Sequence, residues 1–297
     1  MSLPDSSARW LVTGAAGQLG RSLLAIAADR GIEAVGCTHA ELDVADPAAV
    51  RAALDRIEPG VVLNAAAFTQ VDLCEQETEA ALRVNAHAPG VLAEACRDRG
   101  QPTLLVHVST EYVFSGETPR PIPEDADTAP LSAYGRGKLA GEQAVRDSGA
   151  EHLIARTQWL FGPGPNFVRT ILAAAGRGQA LRVVEDQIGR PTWSRSLAEG
   201  LVSAVRGGLR GTLHLACEGV CSWYDLAREI VREGAARGLT GTVGVDPIPT
   251  REMPRPAVRP AYAVLALDRS RAAGIHMPHW RDALAAYLDE ERSARGG

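Results

Sequence analysis

Lysine is almost absent from this chain. Among 31 basic residues in 297 positions there are 30 arginines and one lysine, Lys138. It follows Tyr134 by four residues, and on a helix this spacing puts both side chains on one face, one turn apart. Arginine is not equivalent here, because its guanidinium does not release a proton, whereas an ammonium is a compact charge with rotatable donors. One interpretation is a surface lysine beside a half-buried tyrosine; the upstream motifs favour a functional pair.

Cysteines are few and scattered. Their five positions, 37, 74, 96, 217 and 221, form an odd set. Disulfide frameworks belong to short secreted chains, so we expect free thiols. Cys217 and Cys221 lie four apart, but no second cysteine or histidine pair has the usual spacing for zinc, and we predict no metal site there.

Excess basic charge and long apolar runs are also missing. The net charge of −5 leaves no basic footprint for nucleic acid. No apolar run approaches the length that spans a bilayer, and residues 1–7 lack the features of a signal peptide. We therefore expect no nucleic-acid or membrane partner and a cytoplasmic location by default.

The first half alternates short apolar runs with longer helical patterns. Strands are predicted at 9–13, 32–37, 61–64, 103–109 and 152–156, with helices at 18–30, from 46, at 75–99 and at 133–147. Continuous apolar strands indicate burial on both faces. The fold class expected is therefore α/β, a Rossmann-like doubly wound parallel sheet.

The second half is less regular. Helices are predicted near 167–176 and 195–207, a strand at 211–216 that returns to the main sheet, and two short amphipathic helices after a proline- and arginine-rich stretch at 247–260. We expect residues 1–160 to form a dinucleotide-binding domain with 211–220 joining its sheet. Residues 161–210 and 221–297 are expected to form a smaller mixed α/β substrate-binding lobe.

A glycine-rich turn follows the first predicted strand. Its G-x-x-G-x-x-G pattern comprises Gly14, Gly17 and Gly20, with Gln18 and Leu19 between the last two. Such glycines let the backbone approach a pyrophosphate, which the helix N-terminus then faces with free N–H groups. The alternative is a turn with no ligand.

The predicted cofactor is NADPH, with NADH possible. Residues 37–39, after the second strand, contain no carboxylate for a ribose hydroxyl, and Arg21 follows the last glycine. Asp43 and Val44 are candidates for the adenine side, although Asp43 can equally cap a helix. Small residues after the third strand leave room for the cofactor; this set is Asn64, Ala65, Ala66 and Ala67.

Thr110, Tyr134 and Lys138 are the candidate catalytic residues. Thr110 ends the fourth strand, where a doubly wound sheet opens into its ligand crevice. A hydroxyl, a phenol and an ammonium beside a nicotinamide predict carbonyl reduction. We expect the lysine charge and the oxidised nicotinamide to lower the pKa of Tyr134 from about 10 towards working pH. Lys138 is also expected to bind the cofactor ribose, and Thr110 to orient the substrate oxygen.

These motifs, in this order, resemble the extended short-chain dehydrogenase/reductases, and within them the dTDP-4-dehydrorhamnose reductases. The resemblance covers nearly the whole chain. It rests on residues 14–20, 64–69, 71–72, 84–85, 109–116, 134–138, 156–159, 187–192, 223–225 and 259–260.

The resemblance implies NADPH-dependent reduction of the C4 ketone of dTDP-4-dehydro-6-deoxy-L-mannose to dTDP-L-rhamnose. It implies Asn85 as a further cofactor residue and a set of substrate residues, in which Trp159 borders the sugar unless it only packs in the core. The tail arginines can meet a diphosphate with paired hydrogen bonds, or lie in a solvated loop. The substrate set is Thr69, Val71, Glu111, Tyr112, Trp159, Asn166, Arg190, Pro191, Thr192, Arg255 and Arg259.

Two departures from the family leave the sugar open. Glu111 stands where members usually have aspartate, and residues 261–263 lack the family's serine. The nearest alternative is a 4-ketoreductase for another dTDP-deoxysugar, of the dihydrostreptose type or from an antibiotic sugar pathway. An epimerase–reductase like those making GDP-fucose ranks lower, because no clear cysteine–histidine pair is present. A non-catalytic NADP-binding regulatory subunit is the alternative of another class.

Some members of this family dimerise through a metal held by glutamates. The corresponding positions here are Ser22 and Arg195, and only Glu290 resembles a retained ligand. We expect no metal, and a monomer or weak homodimer without a metal bridge.

Overall fold

The computed structural model describes residues 8–296. Its first half runs through β1 (Trp10–Thr13), α1 (Gln18–Asp29), β2 (Ala34–Cys37), α2 (Pro47–Ile57), β3 (Val61–Asn64), α3 (Val71–Cys74), α4 (Thr78–Leu82), a π-helical turn (Arg83–His87), α5 (Ala88–Asp98), β4 (Leu104–Thr110), a 3₁₀ turn (Glu111–Val113), α6 (Ala133–Asp147) and β5 (His152–Thr157). The second half runs through β6 (Leu160–Phe161), α7 (Phe167–Gly176), β7 (Leu181–Val184), β8 (Ile188–Gly189), β9 (Thr192–Trp193), α8 (Ser194–Arg206), β10 (Gly211–His214), β11 (Cys221–Ser222), α9 (Trp223–Ala236), β12 (Val245–Ile248), a 3₁₀ turn (Thr250–Glu252), α10 (Asp268–Ala272) and α11 (Trp280–Gly296).

Six strands form the central sheet, in the order β2-β1-β3-β4-β5-β10. All five pairings are parallel, and Thr13 of β1 lies level with Cys37 on one side and Asn64 on the other. The strand order reverses direction between β1 and β3, and ligands bind at such a point in doubly wound sheets. The predicted fold class is confirmed.

Helices cover both faces of the sheet. On one face α1 and α8 pack over side chains such as Val12 and Val106. On the other, α2 and α5 pack over Leu11, Val62 and Leu105. Because successive residues of a strand point to opposite faces, burial on both sides explains the continuous apolar runs.

The predicted long helix at 75–99 is wrong in part. Residues 75–77 form a turn after α3, and the helix begins at Thr78 as α4 and passes through the π-helical turn Arg83–His87 into α5. Such turns insert one residue into a helix and occur frequently at functional sites. The prediction also missed α9, although Ser222 and Asp225 form a capping box at its start.

A second core lies towards the C-terminus, where Trp280 and Tyr287 of α11 pack with buried residues of α7 and α9. Short strand pairs border it: β6 with β9, β7 with β12 and β8 with β11. Helix α8 packs instead with α1 on the central sheet. The terminal α11 spans 17 residues and is not short. The division into two domains stays a prediction.

Within residues 8–296, no helix is long and apolar enough to cross a membrane. The expectation of no signal peptide concerns residues 1–7, which lie outside the described range. The five cysteines are buried free thiols.

Candidate active site

The glycine turn after β1 is packed too closely for side chains. Gly14 has φ +66°, and a Cβ there would lie 2.8 Å from the carbonyl carbon of Ala65; a Cβ on Gly20 would lie 2.2 Å from the carbonyl oxygen of Gly14. Gly17 is the N-cap of α1, and no side chain caps that terminus. The first N–H groups of α1 are therefore available to an anion, and this cradle fits the pyrophosphate of a dinucleotide.

A carboxylate lies at the end of β2 after all. The backbone N–H and hydroxyl of Thr38 both donate to Glu41, each at 2.8 Å. Residues 37–39 themselves contain no carboxylate, and Glu41 reaches this position because residues 38–41 form a turn. Because an acidic group at this position can bind a ribose hydroxyl, both NADPH and NADH must be assayed.

Asp43 does not cap a helix, because Asp46 caps α2 by accepting from Ala48. Its carboxylate accepts from the N–H of Ala45 and pairs with Arg83. That guanidinium is the main cause of the lowered pKa of Asp43. Val44 beside it is buried. The adenine role of both residues stays a prediction.

The two predicted cofactor asparagines organise the loop after β3. The Oδ1 of Asn64 accepts from Thr13 and from the N–H of Ala66. Asn85, in the π-helical turn, makes two 2.9 Å bonds to the backbone of Phe68. Ala65, Ala66 and Ala67 therefore run along a fixed path at the sheet edge.

Thr110 lies at the centre of a buried polar cluster. Its hydroxyl donates to a carboxylate oxygen of Glu111 at 2.7 Å and accepts from the N–H of Tyr112 at 3.2 Å. The Thr110 hydroxyl lies close enough to the Tyr134 phenol to act on its pKa, and Tyr112 packs edge-on against the Tyr134 ring, with the ring centroids 5.3 Å apart. Glu111 is 2% exposed, and burial raises its pKa to about 7. The structure thus brings these four predicted residues together.

Close packing of α6 brings Tyr134 into the crevice. Its predicted bounds are those observed, and Ser132 caps it by accepting from the N–H of Gly135. A Cβ on Gly135 would lie 2.2 Å from the carbonyl oxygen of Tyr112, and one on Gly141 would lie 2.2 Å from that of Asn85. The two glycines seat α6 against both turns.

The expected lowering of the Tyr134 pKa concerns the cofactor-bound site and stays a prediction, because in the ligand-free protein this pKa is raised. Burial and then the nearby Glu111 raise it. The contacts described for the Lys138 amine are the carbonyl oxygen of Val108 at 2.7 Å and the Nε2 of His107 at 3.3 Å, rather than the phenol. Burial also lowers the pKa of Lys138 to about 8. The lysine charge therefore does not act on the phenol as expected.

Trp159 has a strained backbone, with φ +47°. Its ring stacks on Trp223 at 3.8 Å, and a Cβ on Gly189 would lie 2.5 Å from it. The indole remains partly exposed. Packing is thus one of its roles, and bordering a sugar stays a prediction. Such strain clusters at ligand sites.

Four predicted substrate residues are held by contacts within the protein. Asn166 caps α7 and donates to the carbonyl oxygens of Gly162 and Gly164. Arg190 donates to Leu265 and Gly219 carbonyls, and Thr192 donates to the Arg190 carbonyl. Pro191 lies buried between them. Their polar atoms shape the loops, and their substrate role stays a prediction.

The C-terminal loop is tied to the segment that contains Thr69 and Val71. Arg259 donates to both carboxylate oxygens of Asp72, at 3.0 and 2.9 Å, and lies near enough to Tyr112 for that phenol to raise its pKa. Arg255 is exposed, and its described contact is the sulfur of Met253. Of the two predicted tail arginines, only Arg259 lies beside the cluster around Thr110.

With this geometry in place, the comparisons decide the family. The model of the RmlD substrate binding domain matches residues 8–293. The chain belongs to this RmlD family. The resemblance seen in the sequence is therefore confirmed.

Relatives of this RmlD-family chain match over nearly their whole length. A probable dTDP-4,6-dihydroxy-2-methyloxan-3-one 4-ketoreductase of Streptomyces antibioticus is 45% identical, covering 93% of each chain. A dTDP-4-dehydrorhamnose reductase of Streptomyces griseus is 41% identical, covering 95% of this chain and 93% of the relative. The crystal structure of a Bacillus anthracis dTDP-4-dehydrorhamnose reductase in complex with NADP is 32% identical, with a TM-score of 0.90, covering 96% of this chain and 99% of the other.

The side chains at the positions considered for a bridging metal in this RmlD-family chain contact other residues of the protein. The Ser22 hydroxyl lies 2.8 Å from that of Ser194, and Arg195 pairs with Asp29 at 3.0 Å. Across the described range, no three histidine, cysteine or acidic residues are grouped to hold a metal ion. The lack of a metal bridge stays a prediction.

Two buried residues of this RmlD-family site were missed. His107 on β4 contacts Lys138, and Glu142, two turns after Tyr134, binds Arg146 and Arg156. The available signals were a histidine within an apolar strand and a glutamate on the Tyr134–Lys138 face of α6.

Proposed function

We propose that this chain is an NADPH-dependent reductase of the C4 ketone of a dTDP-linked 4-keto-6-deoxy sugar. The observation that carries this is the meeting of the Thr110 and Tyr134 hydroxyls at the carboxyl end of β4, with Lys138 one turn further along α6. A ketone placed there meets one hydroxyl that orients its oxygen and one that gives it a proton.

The raised pKa of Tyr134 suits reduction. A phenol that stays protonated at neutral pH has the proton that the forming alkoxide needs. Thr110 is buried and Tyr134 is partly buried, which limits the access of water to the two hydroxyls. The glycine cradle and the loop after β3 hold the dinucleotide, which supplies the hydride.

The substrate proposed first is dTDP-4-dehydro-6-deoxy-L-mannose, giving dTDP-L-rhamnose, the reaction named for the Streptomyces griseus relative. A different dTDP-4-keto sugar is the second candidate. It is favoured by Glu111, by the absence of serine at 261–263 and by the Streptomyces antibioticus relative, named as a 4-ketoreductase of another dTDP sugar. We further propose a cytoplasmic monomer or weak homodimer without nucleic-acid or membrane partners.

The test is NADPH and NADH oxidation with a panel of dTDP-4-keto-6-deoxy sugars. We expect Tyr134→Phe to lower kcat by about 10²- to 10⁴-fold while cofactor binding is kept, since only the proton donor is lost. Tyr224→Phe on α9, outside the cluster, is the matched control. Unchanged turnover in Tyr134→Phe would contradict Tyr134 as the proton donor. No turnover of any sugar by the parent protein favours the non-catalytic NADP-binding subunit.

A further inference from the structure

Lys138 is a buried lysine, and no carboxylate is among the hydrogen-bond contacts described for its amine. Its side chain is 2% exposed, and the polar atoms described around its amine are the Val108 carbonyl oxygen and the His107 Nε2. Burial of a charge is costly unless an opposite charge pairs with it. Glu142 lies one turn further on, but Arg146 and Arg156 occupy its carboxylate.

The hydrogen bonds of Asn64 decide which nitrogen of His107 carries the proton. The N–H of Ala66 can only donate, and it points at the Asn64 side-chain oxygen, as does the Thr13 hydroxyl. The Asn64 amide nitrogen therefore faces His107 Nδ1, at 3.1 Å, and donates to it. An imidazole that accepts at Nδ1 and is neutral carries its proton on Nε2.

A conflict of donors follows at Lys138. The His107 Nε2–H points at the lysine amine, and an ammonium also has only donors to offer. The contact becomes a hydrogen bond when the amine is uncharged, because its lone pair then accepts from Nε2–H while it still donates to Val108. Burial lowers the pKa of His107 well below its ordinary value, which agrees with a neutral imidazole, and lowers that of Lys138 to about 8, so this amine gives up its proton more readily than an exposed lysine does.

We propose that His107 is a positioning residue for Lys138, and that in the ligand-free protein its Nε2–H faces the amine held against β4 and favours the uncharged form of that amine. The inference rests on the proposed role of Lys138 in the reductase. It adds a series of side-chain contacts, Thr13–Asn64–His107–Lys138, through which the end of β1 influences the position and the proton affinity of that amine.

Several ionisable groups surround this pair on the elements packed against α6. Glu142 favours the charged lysine, while Arg146 disfavours a charged His107. The others are Tyr134 on α6, Glu111 in the 3₁₀ turn, Arg156 on β5, Asp72 on α3 and, in the π-helical turn, Arg83 and His87. Asp72, Arg83 and Arg156 are each bound in an ion pair.

The single lysine makes the test direct. Protein labelled with ¹³C at the lysine ε-carbon gives one side-chain NMR signal, whose shift follows protonation of Lys138. In the ligand-free protein we expect the pKa of Lys138 to lie at least about one unit below the ordinary lysine value of about 10.4. In His107→Gln, an amide oxygen can replace Nε2 and accept from the ammonium, so the pKa of Lys138 is expected to rise by about one unit or more.

His152→Gln is the matched control, since His152 lies on β5 and its described bond is to the Ala150 carbonyl. It is expected to leave the Lys138 signal unchanged. Titration of the parent protein at the ordinary lysine value overturns the proposal, and this measurement needs no folded variant. A folded His107→Gln protein with an unshifted titration also overturns it, because a merely structural histidine would alter stability alone. The signal reads the amine whether or not any sugar is reduced, so failure of the proposed function is recognised separately.

Discussion

Glu111 shows at the scale of one residue how burial changes a side chain's chemistry. The carboxyl group is 2% exposed and receives a hydrogen bond from Thr110, yet burial dominates and raises its pKa from 4.5 to about 7. It lies beside Tyr134 and raises that pKa too. Glu111 is therefore a titrating group next to the proposed proton donor.

Glu111→Gln is expected to change how stability depends on pH. The folded protein holds this proton up to about pH 7, while the unfolded chain releases it near pH 4.5. The contribution of Glu111 to the free energy of unfolding is thus fully present below about pH 4.5 and is lost as pH rises through about 7, by about 3 kcal/mol at most. Glutamine does not titrate, so the free energy of unfolding of the variant is expected to rise relative to that of the parent protein between about pH 4.5 and about 7.

Urea denaturation at a series of pH values measures this difference. Glu117→Gln, at an exposed loop position, is the control and is expected to run parallel to the parent protein. Parallel profiles for Glu111→Gln would show that the buried carboxyl group does not titrate as stated.

At the scale of elements, long-range contacts hold the loops that border the site. Arg259 and Asp72 join the C-terminal loop to α3, and the Asp72 carboxylate also accepts from the N–H of Ala257. Both side chains are less than a third exposed. This cross-link fixes the entrance above Tyr112 and Tyr134 more firmly than a surface ion pair can.

Asp72→Asn is expected to lower the free energy of unfolding by about 1–2 kcal/mol, because a paired, charge-assisted bond is lost. Arg259 holds the pKa of Asp72 below its ordinary value, so this stability is present at neutral pH and lost as pH falls through that lowered value. Chemical denaturation measures it. Asp98→Asn, which breaks an exposed pair with Arg97, serves as control with a loss near zero. Equal losses in the two variants would show that the Asp72–Arg259 pair stabilises the fold no more than the exposed Asp98–Arg97 pair does.

At the scale of the whole molecule, the open question is assembly. The two positions considered for a bridging metal carry Ser22, bonded to Ser194, and Arg195, paired with Asp29. A guanidinium in place of a carboxylate repels a cation. Glu290 alone offers a carboxylate at these positions, and one ligand does not make a metal site.

We therefore expect the sedimentation coefficient to be the same in magnesium and in a chelator. Analytical ultracentrifugation over a range of protein concentrations is the measurement. A dimer that forms only with magnesium would contradict the prediction, whereas a weak metal-independent dimer agrees with it.

Features that depend on local order could be predicted from the residues alone. The bounds of β3 and α6, the glycine turn after β1 and the Tyr134–Lys138 spacing follow from periodicity, capping and backbone sterics, which act over a few residues. The order of motifs along the chain also sufficed for the family.

Only the tertiary structure decided which groups meet. His107 and Lys138 are 31 residues apart, and Asp72 and Arg259 are 187 apart, so no local pattern could pair them. The interruption between Cys74 and Thr78 and the burial of Arg190 depend likewise on neighbours distant in the chain. The proton affinities of Tyr134 and Lys138 are set by burial and by what packs beside them, and these are properties of the fold.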